Sequence, residues 1–321
     1  MAENAKKALD MNELIDLNKI IQTAPDPIET FALDVLMGFS SSPKTISPMY
    51  FYDDKGSELF EKITDCEDYY PTRCEYEILD TYKSKIAELA GTEDLNLIEL
   101  GAGDGHKTAV LVEELIKYSP LSYCPIDISR SANEGLIEKF STKFPNLEIS
   151  GVVGEYFKAL DWIRDNKKGK NLVLFLGSNI GNFSMPEANV FMRTMWNCLN
   201  DGDIVLAGFD YKKDIDVMLH AYNDSNGITK EFNLNLLDRM NKELGADFNR
   251  DKFTHFATYN VHIGAMESFI VSLEEQEVYV KSLNKKFHFN SFESIHTEYS
   301  YKFLESDITS LATETGFKVE K

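Results

Sequence analysis

The most constraining feature of this 321-residue sequence is the regular alternation of short apolar runs with helical stretches between residues 95 and 210. Gly, Asp and Asn residues bound the runs, as is typical of buried strands. The runs are LNLIEL (95–100), SYCPIDI (122–128), LEISGVV (147–153), NLVLFLGS (171–178) and DIVLAGFD (203–210). Strands separated by helices in this order predict an α/β protein with a parallel, doubly wound, Rossmann-like sheet.

Helices dominate the prediction for the segment before this sheet. Residues 26–38 have the pattern of an amphipathic helix, and residues 57–64 that of a short helix with Ser57 as its N-cap. A long helix follows, with Pro71 in its first turn and Gly91 just past its end. We expect the residues before about position 70 to be helices and short connectors that join a second lobe.

The pattern changes again between residues 211 and 302, where two helical stretches lead into strands with hairpin-like spacing. The predicted strands are 255–263, 266–273, 276–282 and 294–301. A segment of this length is too large for a loop inside a compact domain, so it predicts an inserted α+β lobe. A helix over 305–315 and the start of a strand at GFKVEK then return to the sheet. Sheets of this class usually finish with an antiparallel hairpin, and we expect GFKVEK to belong to its first strand.

The predicted division is therefore into two domains of discontinuous sequence. The domain boundaries are 74–212 plus 303–321 for the parallel sheet, and 20–73 plus 213–302 for the second lobe.

Composition excludes several classes of function. The chain has 33 basic and 53 acidic residues and a net charge of −20, whereas binding to nucleic acid or an anionic membrane requires clustered Lys and Arg. No run approaches the roughly 18 apolar residues of a membrane span, and the first 20 residues lack the apolar stretch of a signal peptide. The 4 cysteines show no CxxC spacing, which favours reduced thiols in a cytoplasmic protein over a metal site or disulfides.

A glycine-rich turn between the first strand and the next helix is the strongest local motif. It comprises Glu99, Gly101, Gly103 and Gly105, with spacing G-x-G-x-G. Glycines at this position let the backbone approach a ligand closely, at the sheet edge where such folds bind ligands. Because residue 106 is His, the turn does not match the dinucleotide pattern G-x-G-x-x-G, and it also lacks the G-K-[ST] of a P-loop. A tight turn with no ligand is the alternative interpretation.

Two further acidic residues follow the next strands. Asp127 ends the second strand, where a carboxylate can accept hydrogen bonds from both ribose hydroxyls, and Glu155 follows the third. Each by itself is equally compatible with a helix cap or a solvated side chain. Together with Glu99 they place acids at the mouths of three neighbouring strands, which suits S-adenosylmethionine (SAM) better than a dinucleotide pyrophosphate.

The turn after the fourth strand, GSNIGNF (177–183), is polar and rich in glycine, and we expect it to lie over the transferred methyl group. At this point the chain resembles the histidine-specific N-α-methyltransferases of ergothioneine biosynthesis, which trimethylate histidine to hercynine. The resemblance covers residues 25–321. It depends on FYDDKGSELFEKIT (51–64), YYPTRCE (69–75), the glycine loop, FLGSNIGNF (175–183), GFDYKKD (208–214), AYNDSNGITKEFNLN (221–235), NKELGADF (241–248) and TEYSYKF (297–303).

The resemblance implies a class I methyltransferase fold, SAM as cofactor, a substrate-binding second lobe and a role for individual residues. The implied roles are Asn182 and Tyr222 for the substrate carboxylate, Glu298 and Ser300 for the imidazole, Tyr69 beside the ring, Tyr52 near the reacting amine, and Gly101, Lys107, Asp127 and Glu155 for the cofactor, to which the glycine-loop residues Glu99 and Gly103 are added. Glu298 and Ser300 are two residues apart and therefore share one face of a strand, where a carboxylate can accept an imidazole N–H. The alternative for Glu298 is an exposed strand carboxylate. The reaction requires neither a metal nor a covalent nucleophile, and Tyr52 with water is a hypothesis for removing the amine proton.

Two residues depart from the pattern of this family. Asn179 replaces a small hydroxyl residue, and Ser268 replaces a bulky Met that would line the histidine pocket. Both changes affect the side-chain end of the pocket, so tryptophan or tyrosine is the alternative substrate.

Outside amino-acid methylation, the alternatives are an NAD-dependent oxidoreductase, which His106 disfavours, a non-catalytic amino-acid or SAM binding protein, and an acidic scaffold protein. The partner that we expect is a small-molecule amino acid. A monomer is favoured, but the sequence does not decide the oligomeric state.

Overall fold

The computed structural model describes residues 12–17 and 26–320. The strands are β1 Asn12–Asp16, β2 Lys44–Thr45, β3 Leu95–Leu100, β4 Leu121–Asp127, β5 Glu148–Val153, β6 Lys170–Phe175, β7 Ile204–Ala207, β8 Phe253–Asn260, β9 Ala265–Ser272, β10 Gln276–Val280, β11 Lys285–Phe289 and β12 Ser294–Tyr301. The α-helices are α1 Pro27–Ser40, α2 Asp54–Thr64, α3 Tyr70–Ala90, α4 His106–Leu115, α5 Arg130–Lys143, α6 Tyr156–Asn166, α7 Met185–Cys198, α8 Ile215–Tyr222, α9 Ile228–Leu244 and α10 Glu305–Thr315.

A six-stranded parallel sheet with the order β1-β5-β4-β3-β6-β7 forms the centre of the larger layer. Its strands β3 to β7 are the five predicted ones, so the predicted doubly wound α/β sheet is confirmed. Apolar side chains of the helices pack against both faces and form two separate hydrophobic clusters. The carboxyl ends of the strands, where ligands bind in such folds, therefore open onto one edge of the sheet.

The edge strand β1 was not predicted. Sequence analysis expected only helices and connectors before residue 70, all joining the second lobe, but β1 pairs in parallel with β5. The sequence NELID is short and polar at both ends, and β propensity depends strongly on what a strand packs against. Here Ile15 and Leu17 are buried in one of the clusters that cover the parallel sheet. Residues 20–25 of the predicted second lobe lie outside the described residues.

The second lobe contains a four-stranded sheet with the order β2-β12-β9-β8 and the antiparallel hairpin β10–β11. Its core is a cluster of buried apolar side chains from α1, α2, α9 and these strands. The four predicted strands are present, whereas β11 was missed because KKFHF carries two lysines and a histidine in five residues. The inserted α+β lobe is thus observed.

Three of the predicted local features need comment. Helix α3 has Pro71 in its first turn and Gly91 at its C-cap, as predicted. Helix α2 begins earlier than predicted, because its N-cap is Asp53, which accepts a hydrogen bond from the Gly56 amide at 2.7 Å, and not Ser57. Residues 316–320, predicted to begin a strand, lie outside any strand.

Within residues 12–17 and 26–320, no helix has both the length and the apolar composition that a membrane span requires.

Candidate active site

The glycine loop connects the end of β3 to the start of α4. Gly101, Gly103 and Gly105 all have positive φ angles, of 70°, 54° and 67°. A Cβ atom on Gly101 would lie 2.8 Å from the hydroxyl of Tyr156, and one on Gly105 would lie 2.5 Å from carbons of α5. Glycine is therefore favoured at all three positions by backbone conformation, and at Gly101 and Gly105 by space as well. Gly101 and Gly103 line the large cleft at the carboxyl edge of the parallel sheet.

The carboxylate of Glu99 is buried next to this loop. It is 4% exposed and accepts hydrogen bonds from Thr108 Oγ1 and Tyr123 Oη, each at 2.5 Å. Burial raises the pKa of Glu99 to about 7, although these two hydrogen bonds oppose the shift. Both carboxylate oxygens thus have partners within the protein, which supports a structural contribution of Glu99 besides the predicted contact with the cofactor.

Asp127 lies at the end of β4, beside the glycine loop in the same cleft. Its Oδ1 accepts a hydrogen bond from the Ser129 amide at 2.8 Å. Burial raises the pKa of Asp127, and the backbone amides that follow it oppose the shift. A carboxylate oriented by backbone amides at a strand end is well placed to accept hydrogen bonds from the hydroxyls of a ribose.

Glu155 and Tyr156 lie at the start of α6, where Glu155 is the N-cap. Glu155 is exposed, and its carboxylate caps α6 by accepting hydrogen bonds from the amides of Phe157 and Lys158 at 3.1 and 3.3 Å. Tyr156, which sequence analysis missed, lines the cleft. Burial and the nearby Asp127 raise the pKa of Tyr156 to about 12. At this strand end, the aromatic side chain of Tyr156 lines the cleft, and the contact of Glu155 with the cofactor stays a prediction.

Lys107 also has a partner that the sequence did not reveal. Its ammonium forms an ion pair with Glu75 of α3, and Glu75 accepts a hydrogen bond from the Gly177 amide at 2.8 Å. Glu75 therefore connects the glycine loop to the turn after β6. Only the position of Glu75 within YYPTRCE could have indicated its importance, because nothing in that segment predicts contact with residues 32 or 102 positions away.

The turn after β6 lies between two parts of the site. We call the part around the glycine loop and the end of β4 the cofactor half, and the part around Tyr222 and β12 the substrate half. Asn179–Asn182 forms a single turn of 3₁₀ helix, and both asparagines line the cleft. A Cβ atom on Gly181 would lie 2.9 Å from the carbonyl oxygen of Tyr301 and 3.6 Å from Ser300 Oγ. The turn therefore packs directly against β12, so that Asn182 is adjacent to the pair of side chains predicted to bind the substrate ring.

That pair is placed by a β-bulge. The register between β12 and β9 shifts between His296 and Glu298, which leaves Thr297 as an extra residue. Because of this insertion, Glu298 and Ser300 lie on the same side of the sheet as Ile295. Ser268 is paired with Glu298 in register and is 1% exposed. The structure therefore brings together Glu298, Ser300 and Ser268.

Glu298 is only partly exposed, and burial raises its pKa to about 7 against the opposing charge of Lys302. Tyr52 and Tyr69 stand on the wall of the cleft close to it. Burial, followed by interactions with other ionisable groups that include Glu298, raises the pKa of both phenols well above 10.0. Tyr52 is 42% exposed because it faces the cleft. Its phenol stays protonated at neutral pH and can pass a proton only by exchanging it with a neighbour such as water.

Tyr222 lies next to these groups, at the end of α8. Its ring centroid is 6.4 Å from that of Tyr69, and its Oη is 2.6 Å from Ser300 Oγ. The buried Lys302, which sequence analysis missed, donates to both Tyr222 Oη and Ser300 Oγ at 3.0 and 2.9 Å. The signal was available, because Lys302 continues the two-residue period of Glu298 and Ser300.

The predicted site residues thus form two groups that meet at one turn. Glu99, Gly101, Gly103, Lys107 and Asp127 lie around the glycine loop and the end of β4, whereas Tyr52, Tyr69, Asn182, Tyr222, Ser268, Glu298 and Ser300 lie in or against the second lobe, and Asn179 lies between them. Across the described ranges, no group of three or more His, Cys, Asp and Glu side chains is arranged to hold a metal ion.

Comparison with known proteins identifies a matching family and several similar proteins. A model of the family described as histidine-specific, SAM-dependent methyltransferases matches residues 31–321. The chain is 34% identical over 296 residues to histidine N-alpha-methyltransferase of Mycolicibacterium smegmatis, covering 92% of this chain and 91% of the relative. It is 35% identical to the Mycobacterium tuberculosis protein of the same name, over 84% of this chain and 83% of that one. Ergothioneine biosynthesis protein 1 of Neurospora crassa is 32% identical, over 63% of this chain and 23% of the relative.

Proposed function

The chain belongs to the family of histidine-specific, SAM-dependent methyltransferases, and we propose that it methylates the α-amino group of free L-histidine, successively, to the trimethyl betaine. SAM, when bound, supplies an electrophilic methyl group on a sulfonium. The loop at Gly101 and Gly103 and the carboxylate of Asp127 fit such a nucleoside, since the loop leaves room for close backbone approach and Asp127 lines the cleft beside it.

The observation that carries the histidine assignment is the pairing of Glu298 with Ser300 on one face of β12. An imidazole has two ring nitrogens, and a carboxylate and a hydroxyl can bond one each. The pKa of Glu298, about 7, is close to the ordinary value of about 6.5 for an imidazole, so one proton can be held between the two groups in either direction. A buried carboxylate without such a partner would be costly.

The remaining residues of this half would orient the substrate. We infer that Tyr222 and Asn182 hold the carboxylate, which would direct the amine towards the turn at residues 177–183 and the glycine loop beyond it; the contact of Tyr222 with Ser300 and of the turn with β12 supports this. Alignment of the amine with the methyl group, together with exclusion of water, can contribute about 7–11 kcal/mol to a transfer of this kind. The proton lost before each transfer would pass to water beside the protonated Tyr52.

The second candidate substrate is another aromatic amino acid. The observation that favours it is the size of Ser268, which stands opposite Glu298, with Ala257 paired to it on the other side. Both side chains are small, so they occupy less volume at the ring end of the pocket than a bulky residue at position 268 would. An indole N–H or a phenol that reached Glu298 would use this space and would still satisfy the carboxylate.

The experiment that tests the proposal is a methyl-transfer assay with SAM and histidine, tryptophan or tyrosine, with products identified by mass spectrometry. We expect mono-, di- and trimethylated histidine from the wild-type protein and a loss of about 100-fold or more in kcat/KM for Glu298→Ala. Glu267→Ala is the matched control, because Glu267 is the neighbour of Ser268 on the opposite face of the same strand. Methylation of tryptophan or tyrosine alone would replace histidine as the substrate, and no methylation of any of them would refute the proposed function.

A further inference from the structure

A buried lysine lies behind the hydroxyl groups of Tyr222 and Ser300. The side chain of Lys302 is 0% exposed, and its ammonium lies 3.0 Å from Tyr222 Oη, 2.9 Å from Ser300 Oγ and 2.8 Å from Asp210 Oδ2. An ammonium group has three N–H donors, so these three acceptors use all of them. Lys302 therefore has no donor left for a ligand, and any effect on a ligand acts through the two hydroxyl groups.

Asp210 holds Lys302 in this position. Its Oδ2 also accepts a hydrogen bond from Tyr70 Oη at 2.5 Å, and its Oδ1 forms an ion pair with Lys213. Burial alone would raise the pKa of Asp210, but Lys302, Lys213 and Tyr70 outweigh it, so the pKa is lowered. The ion pair with Asp210 therefore keeps the ammonium of Lys302 next to the hydroxyl groups of Tyr222 and Ser300.

The hydrogen bonds around Tyr222 and Ser300 can be counted. Each hydroxyl has one proton and two lone pairs, and Lys302 occupies one lone pair on each oxygen. The two oxygens are 2.6 Å apart, so one of the two hydroxyl protons lies between them. The other proton is free to bond to a ligand. Hydrogen bonds in a chain polarise one another, so donation by an ammonium makes the remaining proton a stronger donor.

We propose that Lys302 is a positioning residue that occupies one lone pair on each hydroxyl, so that the pair presents one proton to the substrate, and thereby makes the pocket selective for a substrate carboxylate. Ser300 donates to Tyr222, and Tyr222 donates to the carboxylate. The second lone pair of Ser300 then accepts an N–H from the substrate ring. This inference rests on the proposed function, since it takes a free amino acid as the substrate.

The test compares binding of histidine with binding of histamine, which has the same ring and amine but no carboxylate. Titrations are made in the presence of S-adenosylhomocysteine. In Lys302→Met, Asp210 keeps Tyr70 and Lys213 as partners, and the loss of the Lys302 charge near Glu298 acts on the ring end of histidine and histamine alike. We expect the affinity for histidine to fall about 10- to 100-fold and that for histamine to change less than about threefold. Affinity for S-adenosylhomocysteine should not change.

Lys213→Met is the matched control, because Lys213 contacts the same aspartate but lies over the ring of Tyr70 rather than beside Tyr222. It should leave the ratio of the two affinities within about threefold of that of the wild type. A double-mutant cycle adds a readout that a purely structural role would not move. If Lys302 acts through the hydroxyl of Tyr222, Lys302→Met should have little further effect on histidine binding in a Tyr222→Phe background.

Equal losses for histidine and histamine, no loss for either, or additive effects in the cycle would overturn the inference. Lys302→Gln, which keeps a donor but not the charge, is measured alongside. Loss of S-adenosylhomocysteine binding and of the folded state in both variants would assign Lys302 to fold stability instead. If the wild type binds tryptophan or tyrosine in place of histidine, only the histidine assignment fails, and that amino acid and its decarboxylated amine are used. If it binds no amino acid, both proposals fail.

Discussion

The cofactor half of the cleft takes most of its side chains from one continuous stretch, from Glu99 to Tyr156, whereas the substrate half takes its own from segments as distant as Tyr52 and Lys302. In the first half, each residue follows a strand of one parallel sheet, so its position is a consequence of local sequence. In the second half, helix ends, a 3₁₀ turn and a bulged strand meet only after the second lobe has packed. We therefore expect the two halves to respond differently to substitution.

The largest effect that separates the halves is expected from Asp127→Ala. Removal of a carboxylate that accepts charge-assisted hydrogen bonds costs about 1.5–3 kcal/mol, so affinity for S-adenosylhomocysteine should fall about 10- to 100-fold. The preference among histidine, tryptophan and tyrosine should stay the same, because Asp127 lies in the other half. Calorimetric titration measures both. Asp165→Ala, on the exposed end of α6, is the control. A change in amino-acid preference would break the separation of the halves.

The next effect concerns the free energy of unfolding, which the carboxylate of Glu298 in the substrate half lowers when it is ionised. The pKa of Glu298 is about 7 in the folded protein against an ordinary value of 4.5, so the folded state binds more protons between these pH values. Stability therefore falls as pH rises through this window, by about 1–3 kcal/mol when discounted for partial exposure. Glu298→Gln cannot ionise, so it should be more stable than the wild type at pH 8 and no more stable near pH 4.5. Urea unfolding at both pH values measures this difference.

The matched control for that measurement is Glu267→Gln, on the opposite face of the sheet. It should show no gain in stability that grows with pH. If Glu298→Gln shifted the free energy of unfolding equally at both pH values, the buried carboxylate would not be the source of the cost.

A smaller effect is expected from Ser268→Met, which sharpens the comparison at the ring end of the pocket. Ser268 is paired with Glu298, and a longer side chain there would fill the space that a larger ring requires. One or more added methylenes in a pocket change discrimination by about tenfold or more, so kcat/KM for histidine relative to tryptophan should rise by roughly that factor. Competition between the two amino acids for limiting SAM measures the ratio. An unchanged ratio would show that residue 268 does not contact the ring.

The smallest effect is expected from Asp68→Ala. Asp68 precedes α3 and accepts hydrogen bonds from the amide and hydroxyl of Ser225, at 3.0 and 3.1 Å, and so ties Tyr69 to the segment after Tyr222. Its removal should raise KM for the amino acid about threefold to tenfold, with no change in cofactor affinity. Asp65→Ala, in the same segment, is the control. A loss of cofactor affinity would mean that the hydrogen bonds between Asp68 and Ser225 affect both halves.

In the cofactor half, the sequence indicated where the residues lie better than it indicated what their side chains contact. The strands, the glycine loop and Asp127 follow from apolar runs and turn residues, because local periodicity determines them. The contact of Glu155 with the cofactor stays a prediction, since the structure shows its carboxylate as the cap of α6 and Tyr156 as the residue that lines the cleft. A helix cap and a ligand contact use the same residue types at the same place in the sequence, so only coordinates distinguish them.

For the substrate half, the predicted pairing of Glu298 and Ser300 followed from two-residue spacing, and the resemblance supplied Tyr69, Asn182 and Tyr222. Lys302 and Glu75 were missed, as was the edge strand β1. A lysine or glutamate is usually solvated, so Glu75 gave no local signal, and the two-residue period that includes Lys302 indicated its face of the strand but not its burial or its partners.

The sequence by itself determined the doubly wound sheet, the inserted lobe and both ends of α3, because these depend on apolar periodicity, caps and turns within a few residues. The tertiary structure decided which polar groups face one another: Glu75 with Lys107 and the Gly177 amide, and Lys302 with Asp210, Ser300 and Tyr222. The physical reason is that a buried polar group must find partners wherever packing places them, and those partners lie up to 102 positions away in the sequence.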